Sequence, residues 1–441
     1  LGALLFLWLP ALAAFFVNFT VAAQNLALLA LLLVVAAAVG YRLKHPRKAA
    51  PFSPADRGML AALLCLALPL TLFSAYLQHT HTLREVDGAL HVGQSTYGDL
   101  SMHLSIATGL RGSPLPAEYN FLPGTVLGYP LLTDAMSTSL LLLGMPLRLT
   151  LIVPGVVLSA LVYGGFLLLA REMTGKTSAA VVAGVLLFFN GGLGFLYDFD
   201  LSGSDLSKIK EIFTGFYKTP ANQPEYNLRW SNLVVDLFLP QRTFLGGWTL
   251  LLPALYFARG AFSGGERRMF LLAALFGAAL PMVHTHSFLA LALYSAAALS
   301  YAFFTHKERR RALLVGSALY LGIVLALALP QLLMSTLKQA TNEGFIRLHF
   351  GWVNRTAGGF IDFPPWFWLK NVGLPLIAMV CALADFKERD RMDFLGAGLI
   401  FLVADLVQFQ PLDYDNNKLF YVWYLLMLPA AGAWCVSLWD R

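Results

Sequence analysis

The run Tyr97-Gly98-Asp99-Leu100-Ser101-Met102-His103 places a carboxylate and an imidazole four residues apart, between stretches that are almost pure hydrocarbon. On a helix from Leu100 to Leu110 the two side chains share a face. A carboxylate there has the chemistry of a general acid or base. The plainer alternative is a solvated aspartate that caps the helix after it. Three further groups carry comparable chemistry. His284-Thr285-His286 offers two imidazoles that can hydrogen-bond a sugar or phosphate, or share a metal with Asp99 or His103 where the chain turns. Asp413-Tyr414-Asp415-Asn416-Asn417-Lys418 opens an apolar helix, where free backbone N–H groups favour an anion and Lys418 adds a charge. Arg242, after Pro240-Gln241, either snorkels to lipid headgroups or clamps a phosphate. The ordinary alternatives for these groups are buried hydrogen-bonded histidines and a capping turn.

The elements that hold these groups are set by composition. Of 441 residues, 58% are hydrophobic and 13% charged, against about 25% charged in a soluble domain. Apolar runs of roughly 20 residues recur from end to end, each matched to a hydrocarbon core about 30 Å thick. The chain reads as an all-α polytopic membrane protein, because only helices satisfy their own backbone groups in lipid. Spans are expected near 1–18, 24–42, 58–78, 147–170, 177–198, 244–259, 269–284, 287–305, 312–335, 367–384, 393–409 and 418–437, about twelve in all. The first is read as a span, since it lacks the basic start and cleavage site of a signal peptide. The net charge of +6 is assigned to membrane orientation, not to nucleic acid.

With twelve alternating spans, six basic clusters fall on one side: Arg42 to Lys48, Arg171 and Lys176, Arg259 to Arg268, Lys307 to Arg311, Lys387 to Arg391, and Arg441. By the positive-inside rule that side is cytoplasmic, and so are both termini. The long loops 79–123, 199–243 and 336–366 then lie outside. Segment 124–145, broken by Thr133, Asp134, Ser137, Thr138 and Ser139, is expected as an amphipathic helix on the outer interface. The chain is treated as one membrane domain: an N-terminal hairpin (1–57), a core (58–260) with the loops 79–123 and 199–243, and C-terminal helices (261–441). Cys65, Cys381 and Cys435 lie in apolar spans and suggest neither disulfides nor a metal site. No Walker A, G-x-S-x-G, H-E-x-x-H or dinucleotide fingerprint occurs. No cofactor is expected, and the need for a metal is left open.

The layout resembles the GT-C superfamily of integral-membrane glycosyltransferases, in the protein-mannosyltransferase and aminoarabinose-transferase-like branch. The resemblance rests on the early loop aspartate in Tyr97 to His103 and on Asn120 to Gly175. There Tyr129-Pro130 leads an apolar segment ending Leu143-Gly144-Met145-Pro146, followed by a span closing Leu169-Ala170-Arg171-Glu172-Met173-Thr174-Gly175. It implies a polyprenyl-phosphate sugar as donor, a glycan, lipid or protein acceptor, and Asp99 as the base of an inverting transfer supported by His103. Arg242, Lys418, Asp415, Asn416, His284, His286, Tyr129 and Glu118 are the residues expected at donor and acceptor. A bacterial cytoplasmic membrane is the expected location. The chain departs from the pattern in having two spans before the early loop's own span and no adjacent acidic pair in that loop. The rival readings are a transporter or lipid flippase of an envelope-glycan pathway, favoured by His284, His286 and Asp405 within apolar segments, and a non-catalytic assembly partner.

Overall fold

The computed structural model describes residues 1–46, 51–93, 96–194, 196, 223–340, 345–356, 358–385 and 390–441. Most of loop 199–243 therefore lies outside the described residues. The helices are α1 (Gly2–Val17), α2 (Val21–Lys44), α3 (Pro54–His81, with a π-turn at Leu63–Ala67), α4 (Leu100–Gly109), α5 (Leu132–Leu142), α6 (Leu147–Thr174) and α7 (Thr177–Phe188). After the undescribed stretch come α8 (Arg242–Gly264), α9 (Arg267–Ala278), α10 (Thr285–Thr305), α11 (Arg310–Met334), α12 (Pro364–Val372), α13 (Leu374–Ala382), α14 (Arg391–Leu406) and α15 (Asn417–Trp439). Among the described residues the strands form short antiparallel pairs: the hairpins Arg84–Val86 with Ala89–His91 and Glu118–Tyr119 with Leu122–Val126, and the distant pair Arg347–Leu348 with Val407–Gln408.

The expectation of an all-α polytopic membrane protein holds, but that of about twelve spans does not. Among the described residues six helices are long and apolar enough to cross a membrane, seven if α12 and α13, bent by 113° at Gly373, form one broken span. At 1.5 Å per residue, the 12 residues of α7 and of α9 reach only about 18 Å, and the 16 of α1 and of α14 about 24 Å. A hydrocarbon core needs about 30 Å. α8 is long enough, but Arg242, Thr243, Gly246, Gly247 and Thr249 dilute its apolar character. Strict alternation of twelve spans thus fails, and the placing of six basic clusters on one face no longer follows from it. Arg259 is not a free loop charge at all: its Nε donates to Asp393 Oδ2 at 2.8 Å, and Tyr294 donates to Asp393 Oδ1 at 2.7 Å.

Helices with lipid-type surfaces surround helices buried on every side. α2 is 24 residues of aliphatic sequence whose Leu28, Leu29, Leu32 and Leu33 stay exposed, and it ends in Arg42 and Lys44 before His45-Pro46. By contrast every residue from Arg242 to Leu252 in α8 is buried, and so is α15 from Leu419 to Pro429. A helix apolar all round belongs in the middle of a bundle. α8 packs on α6, α9 and α10, while α15 packs on α7, α13 and α14. The N-terminal hairpin is docked too: Phe19, fully buried, exchanges backbone bonds with Ser113 and Gly112 at 2.8 and 2.9 Å, and Trp8 Nε1 donates to Ala279 O.

Segment 124–145 is corrected most sharply. Its helical part, α5, does not lie on an interface, since all residues from Leu132 to Ser139 are buried. Asp134, Ser137, Thr138 and Ser139 have protein partners where a surface helix would use water. Serine and threonine hydroxyls on it bond carbonyls of neighbouring helices, Ser137 to Thr150 O at 2.6 Å and Thr138 to Ala107 O at 2.8 Å.

Close packing of α15 on α7 depends on Gly432, where a Cβ would stand 2.4 Å from the Ala179 carbonyl oxygen and 3.0 Å from Ala183 N. Backbone cannot yield as a side chain can, so Gly432→Val is expected to cost about 1–3 kcal/mol by overpacking. Thermal unfolding in detergent should show a lowered midpoint, while Gly398→Ala, in open space, should not lower it.

Candidate functional site

Asp99 is placed by the entry to α4. Thr96 Oγ1 donates to His81 O at 3.0 Å and Gly93 O at 2.9 Å, and Leu100 N closes the first turn on Thr96 O. Asp99 stands at the N-cap position, but its side chain accepts no capping bond. The residue is half-buried, and its side chain has no hydrogen bond or ion pair among the described residues. The capping alternative therefore does not account for it.

One turn on, His103 is fully buried, and its Nδ1 donates to Asp134 Oδ2 at 2.8 Å. Asp134, on α5 and also without exposure, receives Arg242 Nε on its other oxygen at 2.9 Å. Arg242 NH1 donates to Leu151 O at 3.0 Å, and NH2 donates to Ser137 Oγ. Every nitrogen of the guanidinium is thus used inside the protein. Arg242 does not stand at a helix mouth as a phosphate clamp; it neutralises a carboxylate that hydrocarbon surroundings would otherwise make costly. Asp134 was visible in the sequence only as a polar interruption. A lone carboxylate in an apolar stretch with a later lone arginine is the signal that could have found it.

Tyr129 joins this group to the second one. Its hydroxyl lies 3.1 Å from Thr243 Oγ1, and its ring meets His103 edge-on with centroids 6.0 Å apart. Burial pushes the Tyr129 hydroxyl far above the usual phenol range; the Thr243 bond opposes this, and the negative charges of Asp134, Asp99 and Asp415 add to it. Tyr129 therefore holds its proton strongly, within electrostatic reach of three carboxylates. Two glycines of α8 allow the approach. A Cβ at Gly246 would come 2.3 Å from Thr133 Oγ1, and one at Gly247 2.4 Å from the His284 Cβ.

His284 caps α10, its Nδ1 accepting from Ser287 N at 3.2 Å. Because it sits in extended backbone before the helix, the two histidine rings do not diverge as they would within a helix; their centroids are 5.6 Å apart. Burial first, then His286 and Lys418, hold His284 well below the ordinary imidazole range, so it is neutral. His286 Nδ1 lies 3.4 Å from Gln410 Nε2, while its buried Nε2 has no partner. Lys418 pairs with Asp415 at 3.0 Å.

The structure thus gathers Asp99, His103, Tyr129, Arg242, His284, His286, Asp415 and Lys418 around one region. It does not bring in two others. Asn416 donates to Ala404 O and Val407 O at 2.8 and 2.7 Å and accepts from Phe409 N, which ties the end of α14 to the start of α15. Glu118 is exposed and accepts from Gly124 N within its own hairpin at 3.2 Å. Among the described residues no three His, Cys, Asp or Glu side chains group to hold a metal. Cys65, Cys381 and Cys435 are free thiols.

The buried pair is expected to behave as a unit. Asp134→Asn or Arg242→Met alone strands a charge and should cost about 3–5 kcal/mol, whereas the double variant should lose much less than the sum. Thermal midpoints of the four proteins in detergent measure the coupling, and strict additivity would refute it. No protein-family model matches the chain, and no curated protein matches it.

Proposed function

We propose that the chain is a membrane glycosyltransferase that moves a sugar from a polyprenyl-phosphate donor to an acceptor hydroxyl with inversion. The observation that carries this reading is the state of Asp99. Asp134 is neutralised by Arg242 and His103, and Asp415 by Lys418, whereas the Asp99 side chain has no partner among the described residues. A half-buried free carboxylate beside a fixed neutral phenol suits a general base.

In this mechanism Asp99 takes the proton of the acceptor hydroxyl as its oxygen bonds to the anomeric carbon. The bond from that carbon to the lipid phosphate breaks, and the phosphate leaves with the electron pair. One base suffices for one displacement, which gives inversion. His103 is a positioning residue, since its Nδ1 is held by Asp134. Lys418 and the unpartnered His286 Nε2 face the departing phosphate, and Tyr129 orients a sugar hydroxyl. The site works on the extracytoplasmic side of a bacterial cytoplasmic membrane, where nucleotides are scarce and lipid delivers the activated sugar. A transporter or flippase is the second reading, favoured by the 113° break between α12 and α13, since broken spans are common at transport sites.

Purified protein supplied with radiolabelled polyprenyl-phosphate sugars separates the two. Asp99→Asn is expected to lower transfer by about 10²–10⁴-fold, the usual contribution of a general base, with Asp99→Glu retaining part of it. Full activity in Asp99→Asn, or lipid flux across vesicles with no transfer from any donor, would sink the enzyme reading.

A further inference from the structure

A second feature lies at the other end of α6. A cavity of about 1040 Å³ opens between α1, α3, α6, α8 and α9, walled by Leu63, Leu161, Leu168, Leu252 and Phe257. Ligand pockets usually measure about 300–1,000 Å³, so this one is large, and its walls are predominantly apolar. It is continuous with a lipid-type stripe on α6, where Val153, Val157, Leu161 and Leu168 are exposed.

Arg171 lines the cavity near its polar end and has no side-chain hydrogen bond or ion pair among the described residues. The two carboxylates near it form no ion pair with it. Asp56 feels its charge but is held by Ser53 N and Oγ at 3.0 and 2.6 Å, and Glu172, also on the rim, is exposed. Along α6, Arg171 lies about 30 Å from Leu151, the residue whose carbonyl receives Arg242. That separation is about one hydrocarbon thickness. The cavity and the Asp99 group therefore belong to opposite leaflets.

We propose that this cavity binds a diacyl phospholipid of net negative headgroup, its chains against the apolar walls and its phosphate on Arg171. An apolar hollow reached sideways through a lipid-facing stripe fits hydrocarbon chains. The unpaired guanidinium supplies planar donors that match phosphate oxygens. This site is independent of the donor site and does not rest on the transferase reading.

The test uses the full chain, delipidated in detergent and titrated with dioleoyl phosphatidylglycerol or dioleoyl phosphatidylcholine under native mass spectrometry. One phosphatidylglycerol is expected to bind more tightly than phosphatidylcholine. Arg171→Gln should weaken phosphatidylglycerol about tenfold, the scale of one charge-assisted contact, and leave phosphatidylcholine unchanged. Leu168→Trp, which fills the hollow, should weaken both, and Leu161→Trp serves where the first variant unfolds. Equal binding of the two lipids, unchanged phosphatidylglycerol affinity in Arg171→Gln, or undiminished lipid binding in a folded tryptophan variant would overturn the proposal.

Discussion

A carboxylate with no exposure among hydrocarbon helices cannot remain charged unless its neighbours are arranged for it, and Asp134 sets that demand here. Arg242 from α8 and His103 from α4 take one oxygen each. The arginine in turn needs acceptors, which come from Ser137 on α5 and the Leu151 carbonyl on α6. Four helices are fixed relative to one another by one anion. Asp99, Tyr129 and the α8 face that meets His284 all hang from that frame. The pair contributes orientation more than net stability, since a buried ion pair roughly offsets its own desolvation.

α8 is held similarly at its other end. Arg259 meets Asp393 of α14, which also accepts from Tyr294 of α10. The two arginines are about 25 Å apart along the helix axis. A helix locked at both ends cannot slide or rotate without stranding a charge, so its glycine face at Gly246 and Gly247 stays in register with Thr133 and His284. Rigid support of this kind is what a site needs if small displacements are to matter.

Class was legible in the residues, and so were most members of the site. Asp99, His103, Tyr129, the two histidines and Lys418 stood out because ionisable or polar side chains are rare in such a chain. What the sequence hid has a physical reason. α1, α7, α9 and α14 lie in runs as apolar as spans but end after 12 to 16 residues, and hydropathy does not show where a helix stops. Asp134 was passed over because its polar neighbours resembled a wetted face, whereas Ser137, Thr138 and Ser139 each donate to a carbonyl. Arg242 looked free because its partner lies 108 residues earlier in the chain. Asn416 looked like a ligand because its backbone partners cannot be read from residue type.

That separation has a consequence for biogenesis. Asp134 leaves the ribosome well before Arg242, and only His103, 31 residues ahead of it, is already made. Until α8 emerges the nascent carboxylate has no cation, and lipid would reject it charged. α5, with its row of hydroxyls, is then best kept at the mouth of the insertion machinery, neither released to water nor passed into the bilayer. The seating of α5 is therefore placed late, when Arg242 arrives and the waiting helix is drawn in.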